Sequence, residues 1–433
     1  MRCLRTVAVL ASLTAAAGVP VMSASPGSAD SNAPRQPFPH VDQPGVTDHE
    51  IRVGGVVSKT NPLGGEYASA FDGVQAYFDM INASKEKGIY GRKLRLTSRR
   101  DDQVGMNRQE VQALLSEDDV FAALPIAVLL FAGADLLAQA GVPTFGWNIN
   151  AEWGSEQAVG PPNLFGEKGS YLCFTCPGQP VPWLAKQVKA KKVGLLAYQS
   201  PQSADCAKGV QASFDKYPSA DIAFLDTSLS FGVNDLSTDV SRMKDQRVDL
   251  VVTCMDTNGT LTLAKEMKKQ GLRAPQYLSN VYDHEFIEKN APFFDGSYTA
   301  TFFTPFEVRP KPPGLQQFQR WMKRGGFTQN ENALAGWINA DLFYRGLQSA
   351  GPDFTRQKVV DAINAMTDYT AGGLIAGIDW TTAHRQDPAQ GCSVVSKIEN
   401  GRFVPTFGEP GKPFRCLQAN PLPDTLQSMP TFQ

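Results

Sequence analysis

The cysteines are the residues of this chain with the most distinctive chemistry. Six of the seven lie beyond residue 30, namely Cys173, Cys176, Cys206, Cys254, Cys392 and Cys416. Cys173 and Cys176 have the Cys-x-x-Cys spacing of zinc sites and of redox thiol pairs. No second pair follows at zinc spacing, and the four histidines are not spaced to complete a site. The sequence therefore predicts no metal site, and the even number of cysteines favours disulfides.

The pairing of these cysteines is predicted from their positions between elements, because six cysteines allow about fifteen connectivities. Cys206 lies early in a predicted helix and Cys254 ends the neighbouring predicted strand, so both belong to one sheet edge. Cys392 and Cys416 flank an Asn-Gly hairpin turn near the C-terminus. We expect Cys206–Cys254 and Cys392–Cys416 disulfides, with Cys173–Cys176 as the remaining pair.

Catalytic motifs are missing from the chain. It has no Gly-x-Ser-x-Gly elbow, no phosphate-binding loop that ends in Gly-Lys-Ser/Thr, and no His-Glu-x-x-His. Asp101 and Asp102 are adjacent carboxylates, but without a partner base such acids are more typical of a loop or a helix start. We predict no catalytic residue and no cofactor, so the chain is not expected to be an enzyme.

The first 29 residues have the pattern of a secretory signal peptide. Arg2 and Arg5 give a positive start, residues 7–18 are apolar, and residues 27–29 are small enough for cleavage. We therefore expect the mature chain to be exported to the periplasm, the cell envelope or the extracellular space.

The composition after the signal predicts a globular protein of two domains. Residues 30–46 are rich in Pro, Ser, Asn and Gln and read as a flexible leader. Cys3 precedes the apolar stretch, where a lipid-modified cysteine cannot be, so no lipid anchor is expected. Roughly 400 residues remain, more than one hydrophobic core usually supports. A net charge of −2 without a basic stripe argues against nucleic acid as a partner.

Strands and helices alternate in two blocks. The first block has predicted strands at 48–57, 93–97, 120–124 and 142–145, with helices between them. The second block has predicted strands at 192–198, 221–225, 248–253 and 276–278. A Pro- and Gly-rich stretch at 160–169 separates the blocks, and three helices and a hairpin follow them. Because strand–helix–strand units join parallel strands, the pattern predicts an α/β fold with two doubly wound parallel-sheet lobes.

Short motifs occur along the chain in a recognisable order. They are Val53-Gly54-Gly55-Val56-Val57, Pro62-Leu63-Gly64-Gly65-Glu66-Tyr67, Gly88-Ile89-Tyr90-Gly91-Arg92, Ala140-Gly141-Val142-Pro143, Val248-Asp249-Leu250-Val251 and Gln270-Gly271-Leu272. In this order the chain resembles the leucine/isoleucine/valine-binding family, which has the type I periplasmic binding fold. The resemblance covers nearly the whole chain after the signal peptide.

The resemblance implies two lobes that are joined by three hinge crossings and close on a solute. Lobe 1 would be residues 47–168 with 302–384, and lobe 2 residues 169–301 with 385–433. The implied function is a monomeric solute-binding protein that delivers a small molecule to the membrane subunits of an ABC importer of the branched-chain amino acid or amide type. A ligand-sensing domain of a signalling system and a secreted hydrolase are the alternatives.

The resemblance also implies the residues of a ligand site just beyond strand ends. These are Tyr67, Trp147, Asn148, Asn150, Gln202, Ser203, Asp256, Asn258, Asn280 and Tyr282. Each is otherwise an ordinary polar loop residue, and Trp147 is otherwise an aromatic plug between the lobes.

The predicted ligand site differs from that of amino-acid binders at one segment. Hydroxyl residues hold the ligand carboxylate in those binders, whereas residues 127–131 here are Ala, Val, Leu, Leu and Phe. We therefore expect leucine, isoleucine and valine to bind poorly. A register error of two or three residues would instead return Thr144 or Ser155 to the site.

Overall fold

The computed structural model describes residues 38–62, 65–154, 159–169, 172–279, 281–384 and 392–416. The predicted signal peptide, residues 30–37 of the predicted leader, and Asn280 lie outside the described residues. Part of the predicted leader is packed against the fold. Val41 is 5% exposed, and the buried Arg92 donates hydrogen bonds to the carbonyl oxygens of Pro39 and Thr47. The structured chain therefore begins before residue 47.

The strands form two sheets. The first sheet has the parallel order β2-β1-β3-β4-β5, and its strands are β1 (Glu50–Val57), β2 (Lys93–Asp101), β3 (Ala122–Leu124), β4 (Thr144–Gly146) and β5 (Leu164–Gly166). The second sheet has the order β12-β11-β10-β9-β8-β6-β7, and β13 pairs with β11. Its strands are β6 (Lys192–Tyr198), β7 (Asp221–Leu229), β8 (Leu250–Cys254), β9 (Gln276–Leu278), β10 (Tyr298–Thr301), β11 (Cys392–Glu399), β12 (Arg402–Thr406) and β13 (Arg415–Cys416).

The second sheet is mixed, whereas the sequence predicted a parallel sheet. Strands β6 to β10 are parallel, but β11 is antiparallel to β10, and β12 is antiparallel to β11. The predicted Asn400-Gly401 turn, with both residues at positive φ, reverses the chain between β11 and β12 and accounts for the direction of β12.

Twelve α-helices accompany the sheets in the described ranges. They are α1 (Ser69–Asn82), α2 (Asn107–Ser116), α3 (Ala134–Gln139), α4 (Pro180–Gln187), α5 (Pro201–Lys216), α6 (Ser237–Asp245), α7 (Thr257–Gln270), α8 (His284–Lys289), α9 (Ala291–Phe294), α10 (Pro313–Gly325), α11 (Glu331–Ala350) and α12 (Arg356–Asn364). Helices α1–α3 and α10–α12 pack with the first sheet and form lobe one, whereas α4–α9 pack with the second sheet and form lobe two. None of the helices in these ranges is long and apolar enough to cross a membrane.

The chain passes between the sheets three times. It leaves the first sheet after Gly166, returns after Thr301 to form α10–α12, and enters the second sheet again at Cys392. We call these passages the first, second and third crossings. The carboxyl ends of the parallel strands carry the loops in which a type I fold places its ligand.

Helices α1 and α11 pack closely because two glycines lie at their contact. A Cβ on Gly73 would lie 1.8 Å from the carbonyl oxygen of Ala333, and one on Gly336 would lie 1.9 Å from that of Ala70. Both helices begin at the same end, where the Ser69 hydroxyl donates to Oδ1 of Asn330, the N-cap of α11. This packing fixes the start of α11 beside the loop that follows β1.

Asn107 is the first residue of α2, and its side chain joins two neighbouring turns. Its amide nitrogen donates to Asp102 Oδ2 at 2.9 Å, and its amide oxygen accepts from the backbone N–H of Gly133 at 2.9 Å. Asp102 also accepts from the backbone N–H of Val104. Asp102 thus stabilises a turn, which agrees with the expectation that the Asp101-Asp102 pair belongs to a loop or a helix start.

Three disulfides are present, and they join the same cysteines as the predicted pairs: Cys173–Cys176, Cys206–Cys254 and Cys392–Cys416. The second links α5 to the end of β8, and the third links the paired strands β11 and β13.

Candidate functional site

Two aromatic residues of lobe one lie together at the carboxyl ends of its strands. Tyr67 follows β1 and Trp147 follows β4, and their ring centroids are 5.8 Å apart. Tyr67 is 9% exposed, and Trp147 is partly buried. Burial raises the pKa of Tyr67 to about 12, and the nearby carboxylates of Glu331 and Asp256 add to this effect. Asp256 belongs to lobe two, so both lobes contribute to this region.

The two predicted asparagines follow Trp147 in the loop after β4 and contact neighbouring segments. Asn148 is 1% exposed and packs on Gly166, where an added Cβ would lie 2.5 Å from the Asn148 Cβ. Its carbonyl oxygen accepts from the backbone N–H of Leu172 at 2.8 Å. Asn150 donates to the carbonyl oxygen of Val128 at 3.3 Å, which braces the loop after β3.

The lobe-two side of the site is a hydrogen-bonded group at the ends of β6 and β8. Asp256 caps α7, and its Oδ1 accepts from the backbone N–H of Gly259 at 2.9 Å and from the Tyr198 hydroxyl at 2.7 Å. The Ser203 hydroxyl accepts from the backbone N–H of Tyr198 and donates to the carbonyl oxygen of Cys254. Burial and the Asp256 carboxylate raise the pKa of Tyr198. The two other predicted residues here, Gln202 and Asn258, are exposed.

Tyr282 lies at the second crossing rather than against the aromatic pair. Its hydroxyl donates to Glu307 Oε2 at 2.7 Å and accepts from the backbone N–H of Phe306 at 2.7 Å. Its ring packs on Phe303 and on Phe403 of β12, with centroids 5.2 and 4.7 Å away. Tyr282 therefore joins the second crossing to lobe two, and its hydroxyl is already bonded on both sides.

Three charged residues near the aromatic pair were not identified from the sequence. Lys168 Nζ forms an ion pair with Glu167 Oε1 at 2.7 Å and lies 5.7 Å from the ring centroid of Phe302. Burial lowers the pKa of Lys168, but Glu167 and Glu331 more than offset this, so the pKa is raised. Glu331, in the first turn of α11, is close enough to Tyr67 and Tyr282 to raise the pKa of each. These residues connect the first and second crossings to the start of α11.

The sequence carried only a weak signal for these three residues. Glu167 and Lys168 lie in the Pro- and Gly-rich stretch at 160–169, which separates the two predicted blocks of strands and helices. The only signal there is that two opposite charges are adjacent in a stretch predicted to pass between lobes. Glu331 follows an N-cap asparagine, a position where acidic residues are common because they stabilise the helix dipole. Its proximity to Lys168 depends on tertiary packing alone.

Other features of the described residues do not suggest a metal or a second solute site. No group of three His, Cys, Asp or Glu side chains in the described ranges could hold a metal ion. A cavity of about 630 Å³ lies beside the second half of α11, and its lining includes Asp341, Arg345 and Tyr369. It is open to solvent and contains none of the predicted ligand residues.

Solved structures share this architecture. A fatty acid ABC transporter substrate-binding protein from Thermomonospora curvata superposes with a TM-score of 0.68 at 17% identity, over 88% of this chain and 95% of that chain. A branched-chain amino acid ABC transporter from Thermus thermophilus with bound valine gives 0.66 at 17% identity, over 83% and 95%. A solute-binding protein of an ABC transporter from R. palustris in complex with 4-hydroxybenzoate gives 0.64 at 18% identity, over 82% and 95%. At these identities the likeness shows the type I periplasmic binding fold.

Sequence comparison identifies the family. No curated protein sequence matches the chain. A family model described as periplasmic binding protein matches residues 50–402, which include both sheets almost entirely. Proteins of this family bind solutes and are not enzymes, in agreement with the missing catalytic motifs. The chain belongs to the periplasmic binding protein family.

Proposed function

We propose that this chain captures a small solute between its two lobes and delivers it to the membrane subunits of an ABC importer of the branched-chain amino acid or amide type. The observation that carries the proposal is the packing of Tyr67 on Trp147 at the carboxyl ends of the strands of lobe one, and the Asp256 carboxylate of lobe two contributes to the raised pKa of Tyr67. Aromatic packing with a few convergent polar groups is the usual composition of a solute site. We propose further that the protein works as an exported monomer without a lipid anchor.

Lobe closure is the first test of this proposal. A thermal-shift panel of amino acids, amides, small acids and aromatic compounds would identify a solute, because binding to the folded state alone raises the melting temperature. Small-angle scattering with that solute should then give a smaller radius of gyration, since the lobes close on it. A profile that stays unchanged at saturating solute would contradict capture between the lobes.

The segment after β3 supports the expectation that branched-chain amino acids bind poorly. Ala127 and Val128 are both 1% exposed, and the backbone N–H of Leu129 already donates to the Ser58 hydroxyl at 3.0 Å. A buried ligand carboxylate would find no side-chain hydroxyl in residues 127–131, and each lost charge-assisted bond is worth about 1.5–3 kcal/mol. Thr144, the residue that a register error would bring in, is fully buried and donates to the carbonyl oxygen of Val142. Ser155 lies outside the described residues.

Calorimetry with leucine tests this expectation. We expect binding at least about a hundredfold weaker than the micromolar range, because two charge-assisted bonds are missing. Isoleucine and valine should behave in the same way. Micromolar leucine binding that survives Asn148→Ala but is lost in Thr144→Ala would show that the assignment of the site is wrong.

A further inference from the structure

Glu167, Lys168 and Glu331 form a group that we call the cleft charge cluster. Its three side chains come from the first crossing and from the first turn of α11. The backbone N–H of Glu167 donates to the carbonyl oxygen of Gly146, next to Trp147, and the start of α11 contacts the Tyr67 loop through the Asn332 side chain, which donates to the carbonyl oxygen of Glu66. The side chain of Glu167 is 2% exposed and that of Lys168 is 14% exposed. Two carboxylates and one ammonium give the cluster a formal charge of −1.

Each carboxylate of the cleft charge cluster has at least one oxygen without a hydrogen-bond donor. Glu167 uses Oε1 for Lys168, whereas its Oε2 is buried and has no partner among the described residues. The Glu331 side chain is partly exposed, and its carboxylate forms no hydrogen bond and no ion pair within 4 Å in the same ranges. A buried carboxylate oxygen without a donor costs free energy, so a native structure normally supplies one. This cost applies to Glu167 Oε2, which is buried, whereas the partly exposed Glu331 carboxylate is accessible to a donor from outside the protein.

The raised pKa of Glu331 agrees with this lack of donors. Burial raises the pKa of Glu331, Lys168 opposes that shift, and Glu167 adds to it, with a raised pKa as the result. The positive charge of Lys168 is thus insufficient for two carboxylates. An additional cation or N–H donor would stabilise the ionised form of Glu331.

The neighbouring aromatic rings favour the same kind of group. Tyr67 and Trp147 lie within 5.8 Å of each other, and the Phe302 ring already receives the Lys168 ammonium. Aromatic faces attract cations and also provide apolar area for the body of a ligand.

We propose that the cleft charge cluster binds a cationic, N–H-rich head group of the solute, which is an organic ammonium or amidinium. The apolar or aromatic body of the same solute packs on Tyr67 and Trp147. This inference rests on the proposed function. A carboxylate head group would instead be repelled by the negative charges of Glu167 and Glu331. Lys168, the cation that could offset them, is already paired.

The experiment compares three probes that share a phenyl body and differ in head group. They are 2-phenylethylammonium, phenylacetamide and phenylacetate, titrated calorimetrically into the full chain. We expect 2-phenylethylammonium to bind at least tenfold tighter than phenylacetate. Glu331→Gln should remove most of that preference and leave phenylacetamide binding within about twofold. Glu285→Gln is the matched control, because Glu285 is an exposed acid in the first turn of α8 and should leave all three affinities unchanged.

The outcomes separate this proposal from the proposed function. Tighter binding of phenylacetate, or a cation preference that Glu331→Gln leaves intact, would overturn the cationic head group while solute capture stands. Failure of all three probes to bind at millimolar concentration would overturn it as well. Solute capture itself fails only if the wider panel also leaves the scattering profile unchanged. Since Glu331 is partly exposed, its glutamine variant should fold, and an unchanged melting temperature without probe would verify this.

Discussion

The two lobes share a fold but are stabilised in different ways. In lobe one, 13 of the 20 residues of α11 are buried, whereas α5, the longest helix of lobe two, has five of its 16 residues buried. All three disulfides lie in lobe two or in the first crossing that leads to it. Lobe one therefore depends on apolar burial, and lobe two adds covalent links that restrict its unfolded state. The two lobes of one cleft should therefore respond differently to the loss of apolar packing and to the loss of disulfides.

The largest expected effect comes from breaking the core of lobe one. Trp337 on α11 is 1% exposed and packs on Tyr77 and Phe318, with ring centroids 4.9 and 5.7 Å away. Trp337→Ala should lower the free energy of unfolding by about 3–5 kcal/mol, because it leaves a cavity that cannot fully collapse. Urea unfolding followed by circular dichroism measures the change. Trp321→Ala, at a partly buried position, is the control and should cost clearly less; equal costs would contradict a core centred on α11.

The next effect comes from the disulfides of lobe two. Removing Cys206–Cys254 by a double alanine substitution should cost about 2–4 kcal/mol, because the bond closes a loop with a sequence separation of 48. Cys392–Cys416, with a separation of 24, should matter somewhat less, and Cys173–Cys176, with a separation of 3, least. Melting temperatures of the three double variants give the order. A largest loss for the Cys173–Cys176 variant would refute the role assigned to loop length.

The smallest effect is a response of lobe one to acid. His384 packs on Phe165 and Trp380 and pairs with Asn364, and burial lowers its pKa to about 4. Since the unfolded chain binds the proton near pH 6.5, this contribution to stability is complete above pH 6.5 and is lost as the pH falls towards 4. We expect a loss on the order of 1–2 kcal/mol, smaller than the full shift because solvent screens the ring.

Urea midpoints at pH 7 and pH 4.5 measure this response. The difference between the two midpoints should shrink in His384→Gln and should persist in His49→Gln, since His49 is exposed. If both variants kept the full difference, another group would be responsible for the acid sensitivity.

The alternation of strands and helices was predictable because it depends on local periodicity. Strands β6 and β9 have the predicted bounds, and the C-terminal hairpin turns at the predicted Asn400-Gly401. Strand β5 was missed because three residues in a Pro- and Gly-rich stretch have no period, and it exists only through its pairing with β4. Helix α4 was missed because it contains Pro180 and Pro182, which a sequence pattern treats as breaks.

The candidate site was predictable only in part, for a related reason. Tyr67 and Trp147 follow strands, so their position at one sheet edge follows from topology. The cleft charge cluster joins a crossing to the start of a helix that is more than 160 residues away in the sequence. Their proximity depends on where tertiary packing places the start of α11, and the close approach of α1 and α11 at Gly73 and Gly336 is not encoded by any local pattern.

The hydrogen-bonded group of lobe two has a consequence for conformational entropy. Asp256 and Ser203 are fixed by Tyr198, by the start of α7 and by the end of β8 before any solute arrives. A solute that contacts the hydrogen-bonded group of lobe two does not have to immobilise these side chains. The entropic cost of binding is then smaller by about 0.5–1.5 kcal/mol for each side chain. The entropy lost on binding then belongs mainly to the solute and to the relative motion of the lobes.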